Sequence, residues 1–269
     1  MLIASISLFV SAYLATFLGA GFLAVQSGYS YPQWIALLSV CVATGFTIVV
    51  MDRGRWRVGL AAPPRTLARD LLLGAIFATL LIGAIDGLIV LTTDLRHVRG
   101  GGFPWGELVA VFIPAAVHEE LAFRGYLFQK LLAYSRLSAY IFSGLLFAAL
   151  HGGNRNVSWL ALTNIALAGV MLGLAYELGR RLWFPIGLHL MWNLASGPIL
   201  GYEVSGNVSA RTLWRTIGTG PVTLTGGGFG LEGSVWATVV EAAAVVILFR
   251  YHSRASARSA ASLTEQEIS

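Results

Sequence analysis

Residues 107–129 read ELVAVFIPAAVHEELAFRGYLFQ, an apolar stretch interrupted by His118, Glu119, Glu120 and Arg124. A bilayer core of about 30 Å needs roughly 20 apolar residues to be crossed by a helix, and this stretch is long enough. Comparable runs flank it on both sides, near 2–26, 32–51, 70–92, 137–152, 157–178, 184–201 and 235–251. The chain is 56% hydrophobic and only 12% charged, with mean hydropathy +0.72. Soluble domains carry about a quarter charged residues, so the expected solvent is lipid. Backbone groups in lipid must be bonded internally, and alternating strand patterns are absent. The expectation is an all-α, polytopic transmembrane helix bundle of about eight spans. Residues 1–251 form its single domain, with the chemistry within 105–196, and 252–269 form a polar tail without fixed structure.

The net charge of +5 does not imply a nucleic-acid partner, because the basic residues lie in short loops between apolar runs. With the N-terminus cytoplasmic, the inner loops hold Arg53, Arg55, Arg57, Arg65, Arg69, Lys130, Arg136, Arg180 and Arg181, and the tail holds Arg250, Arg254 and Arg258. The outer loops hold only Arg96, Arg99, Arg155, Arg211 and Arg215. Positive charge favours the inside, so both termini are expected in the cytoplasm, and the compactness of the chain suggests a bacterial inner membrane. The run 2–26 is too long for a signal-peptide core and is read as a first span. Cys41 is the single cysteine, which excludes an intramolecular disulfide and a cysteine metal cluster. The glycine-rich outer segment 202–234 is read as a surface loop slightly in preference to a cover folded over a cavity.

Ionisable groups inside spans are costly and mark functional positions. Neighbours on a helix point about 100° apart, so Glu119 and Glu120 are expected to do different jobs. Glu120 and Arg124, four apart, can pair on one face as a structural brace. Glu119 then lacks a local cation and is the candidate for chemistry. His151 ends the fifth run, and His189 and Asn193 share a face of the seventh. Spans four and five turn near Ser135, which sets Glu119 and His151 at a similar height, about 24 Å along their helices at 1.5 Å per residue. His189 stands only about 12 Å beyond Arg181 by the same rise, a mismatch in depth.

Glu119-Glu120-x-x-x-Arg124, Phe147-x-x-x-His151 and His189-x-x-x-Asn193, in this order, resemble the motifs of the CPBP family, the type II CAAX prenyl proteases and bacteriocin-processing (Abi) membrane peptidases. The resemblance implies a glutamate-dependent intramembrane endopeptidase acting on a membrane-associated protein or peptide. Glu119 and His151 would activate water, and His189 and Asn193 would stabilise the oxyanion, with no cofactor. A zinc peptidase is the nearest rival: Glu119, His151 and His189 would be its ligands. His-Glu-x-x-His is not met, because position 122 is Ala. The rival from another class is a non-catalytic scaffold, immunity factor or proton-coupled transporter, since a polar cluster inside a bundle also suits a proton path.

Overall fold

The structure is a computed structural model that describes residues 1–27 and 32–268, with 255–268 as backbone alone. It is a helix bundle. Helix α1 spans Leu2–Ser27, α2 Pro32–Asp52 and α3 Pro64–Thr92. A bent helix, α4, covers residues 105–134, followed by α5 (Arg136–His151), α6 (Trp159–Glu177) and α7 (Trp183–Leu194). Helix α7 continues as a wide turn over Ala195–Ile199, and α8 runs Val235–Ile268. Among the described residues, five helices are long and apolar enough to cross a membrane: α1, α2, α3, α6 and Val235–Arg254 of α8. The other three expected spans are the bent α4, the shorter α5, and α7 with its extension around Pro198. The backbone of the expected unstructured tail continues α8 to Ile268.

Local chemistry sets the helix starts. Pro64 opens α3, where a missing N–H is tolerated. The Ser135 hydroxyl accepts from the Ser138 N–H to begin α5, and Ser158 does the same for Ala161 to begin α6. Burial then separates centre from periphery. In the most apolar window of α6, 56% of residues are buried inside the protein, against 6% for α1. Leu72, Leu73, Ile76 and Leu80 leave an exposed stripe along α3, and Leu14, Leu18 and Phe22 do so on α1. Stripes this apolar belong against acyl chains.

Without a hydrophobic force between helices in lipid, close packing depends on small residues. A Cβ on Gly74 would lie 2.2 Å from the Phe184 carbonyl, and one on Gly187 2.3 Å from that of Leu71. These two glycines let α3 and α7 touch backbone to backbone. Gly144 and Gly169 do the same for α5 and α6.

The bundle has two differently built ends. At one, Lys130 pairs with Asp52, Arg181 with Asp70 at 2.7 Å, and Arg136 with Glu177 at 2.8 Å. The other end holds a feature not expected from the sequence, a two-stranded antiparallel pair of β1 (Arg96–Arg99) and β2 (Trp214–Ile217), with His97 opposite Thr216. Each strand has only four residues, too few for a readable alternation. Beside it, Asp86 of α3 accepts from the Tyr202 hydroxyl at 2.7 Å and bonds His97 Nε2 at 2.8 Å. Burial, then the Asp86 carboxylate, push the Tyr202 phenol up from its ordinary range, so it stays a donor.

Candidate active site

The site is built on α4. Glu119 and Glu120 end its regular portion, Ile113–Glu120. A wide π-turn follows over Leu121–Tyr126, broken at Gly125, whose ψ of −120° is not helical. Such turns recur at functional sites. The carbonyl of Arg124 at the break is taken by the Gln129 amide at 3.0 Å. A regular rise per residue therefore does not hold between Ser135 and Glu119, and the expected depth mismatch is not met: His189 lies within 3.8 Å of both glutamates.

His189 lies between the two carboxylates. Its Nδ1 is 2.8 Å from Glu120 Oε1, and its Nε2 is 3.8 Å from Glu119 Oε2. The expectation that adjacent glutamates serve separate roles meets an unforeseen geometry: one imidazole spans them by its opposite edges. Glu120 Oε1 also accepts from Arg124 Nη1 at 3.2 Å, and both side chains of that pair are fully buried. A carboxylate only accepts, so Nδ1 carries the proton and Glu120 fixes the ring. Arg124 also donates to the Gly169 carbonyl at 3.0 Å and lies 4.5 Å from the Phe147 ring centroid.

His151 ends α5. Its Nδ1 meets the Phe147 carbonyl at 2.8 Å, and a carbonyl only accepts, so this nitrogen is the donor. Phe147 packs edge-on against His189 at 6.0 Å and against His151 at 4.7 Å between centroids. Asn193 lies one turn beyond His189 on α7.

Glu119, His151, His189 and Asn193 all line one cavity of about 570 Å³, whereas Glu120 and Arg124 sit behind its wall. Glu119 Oε2 is buried and has no hydrogen-bond partner. Among the described residues, no set of three or more His, Cys, Asp or Glu side chains is arranged to hold a metal ion. Glu119, His151 and His189 share the cavity without forming such a set.

One part of the site was not anticipated. His118 lines the cavity beside Glu119, and its Nε2 is 2.8 Å from the Tyr13 hydroxyl of α1. Its place next to Glu119 was the only signal, since nothing ties position 13 to position 118 in sequence. For the outer segment the second of the two expected readings holds: Val204, Ser205, Asn207 and Glu232 line the cavity.

With the three motifs gathered on one cavity, their order along the chain can be compared with known families. Residues 101–195 match the Rce1-like family model. Its description is Type II CAAX prenyl endopeptidase Rce1-like, consistent with the CPBP resemblance. No curated protein and no solved structure matches the chain. The Rce1-like segment runs from the approach to α4 through α7 and holds every motif residue. That family is one of proteases, so the match supports protease activity in an integral membrane protein.

Proposed function

We propose that the chain is a glutamate-dependent intramembrane endopeptidase that hydrolyses a peptide bond of a membrane-associated protein or peptide. The observation that carries this reading is Glu119 Oε2, buried at the cavity wall with no hydrogen-bond partner and 3.8 Å from His189 Nε2. An acceptor left without a donor in a low-dielectric site is poised to take a proton. Glu119 removes a proton from water, whose oxygen attacks the scissile carbonyl, and the lone pair of His151 Nε2 helps orient that water. The imidazolium of His189, bound through Nδ1 to Glu120 and donating from Nε2, and the Asn193 amide stabilise the developing oxyanion. The proton on Glu119 then passes to the leaving amine as the C–N bond breaks.

The cavity draws on the end of the bundle that carries β1 and β2, away from the Asp52–Lys130, Asp70–Arg181 and Glu177–Arg136 pairs. Charge asymmetry supports placing those pairs, and both termini, in the cytoplasm; a bacterial inner membrane is part of the same proposal.

The test is purified protein in liposomes with labelled membrane-associated peptides. Cleavage should be lost in Glu119→Ala, and Asn193→Ala should turn over about 10²–10³ times more slowly. Full cleavage by Glu119→Ala would end the proposal.

A further inference from the structure

The outer segment is fastened to the cavity by one buried carboxylate. Glu232 is 4% exposed. Its Oε1 accepts from the Trp192 indole N–H at 2.8 Å, and its Oε2 accepts from the Ser205 backbone N–H at 2.7 Å and hydroxyl at 2.8 Å. Asn164 of α6 holds the backbone beneath it, donating to the carbonyls of Glu232 and Ser234 at 2.7 and 2.9 Å.

Ser205 is an unusual place for such a knot. Its φ is +49°, and the next residue, Gly206, has φ +83°. A non-glycine residue there is strained and persists only where its surroundings over-determine it. They do so here. The Ser205 carbonyl accepts from the Asn154 amide at 3.0 Å, and the Gly206 N–H donates to the Phe229 carbonyl at 3.0 Å. A Cβ on Gly206 would lie 2.2 Å from the Arg155 carbonyl. The turn is therefore wedged between the loop that follows His151 and the segment carrying Glu232. Trp192, on the other oxygen, immediately precedes Asn193.

We infer that Glu232 is a positioning residue of the active site: through Trp192 it sets Asn193, and through Ser205 and Asn154 it sets the loop after His151 and holds the cover on the cavity. This rests on the protease reading for the roles of Asn193 and His151, but the geometry it describes does not.

The test is Glu232→Gln in the full chain. All three groups facing the carboxylate oxygens are donors, and the glutamine amide must turn its NH₂ toward one side. Trp192→Phe removes the donor on the Oε1 side. The expected result for Glu232→Gln is a kcat lowered by about 10–100-fold with KM unchanged, as for a catalytic group displaced by a fraction of an ångström. Adding Trp192→Phe should cause no further loss. A second readout needs no substrate: in a Cys41→Ser background, Asn193→Cys should be alkylated faster by a polar maleimide when Glu232→Gln is also present. If Glu232→Gln does not fold, Ser205→Ala, which removes only the hydroxyl bond, should shift both readouts in the same direction and less far. An unchanged kcat or an unchanged alkylation rate overturns the inference. Failure of the protease reading appears elsewhere, as cleavage by Glu119→Ala or no cleavage by the wild type.

Discussion

Replacing Arg124 by methionine tests the architecture behind the cavity. Arg124 and Glu120 are both fully buried and pair at 3.2 Å, and the same guanidinium donates to the Gly169 carbonyl at 3.0 Å. Methionine approximates the length of the side chain and keeps contact with Phe147, so the change isolates the charge. It leaves Glu120 as a buried anion with only His189 as partner. Removing one member of a buried ion pair costs about 3–5 kcal/mol, because the other is left uncompensated. The Gly169 carbonyl, if left without a donor, adds about 1–3 kcal/mol at most. For a chain of this size, about 3–5 kcal/mol corresponds to a fall of roughly 10 °C or more in Tm. Thermal unfolding in detergent measures this directly. The double variant Glu120→Gln/Arg124→Met separates charge from packing: with no charge left behind, it should be more stable than Arg124→Met alone. An Arg124→Met protein as stable as the wild type would refute the reasoning, as would a double variant no more stable than Arg124→Met.

Gly169→Ala should lower stability by about 1–3 kcal/mol, the usual range for overpacking, because its Cβ would stand 2.8 Å from Gly144 Cα and backbone cannot give way; the same unfolding assay reads it. Tyr13→Phe removes the bond to His118 Nε2 and leaves both ring nitrogens of a cavity histidine without a protein partner. It should cost about 0.5–1.5 kcal/mol in stability and reduce peptide turnover, measured side by side. A fluorescent reporter fused after Ser269 should light up in intact bacterial cells, and an alkaline phosphatase fused there should stay inactive; the opposite pattern would reverse the proposed orientation.

The parts of this molecule legible in its sequence depend on local periodicity. Apolar runs of span length give the bundle, and the four-residue spacing of Glu120 and Arg124 sets a pair that stands at 3.2 Å. What could not be read depends on backbone departures and distant partners. Between Ser135 and the glutamates the helix breaks at Gly125, and no helical ruler counts through it. A 3.6-residue repeat places Glu119 and Glu120 on different faces but cannot show that one imidazole reaches both. Tyr13 and His118 meet across 105 positions of chain. Glu232 sits in glycine-rich sequence, which has the composition of a loop, and only its burial marks it as a fastening.

The pairing of β1 with β2 joins residues 119 apart, as the contact of His97 with Thr216 shows. All four helices α4–α7 lie between the two strands. The clasp therefore cannot close until the last of them has been made and inserted, and closing so long a loop carries an entropic cost that only completed packing offsets. Val204, Ser205 and Glu232, which line the cavity, also follow α7 in the chain, so during synthesis the enclosure of the cavity is a late event.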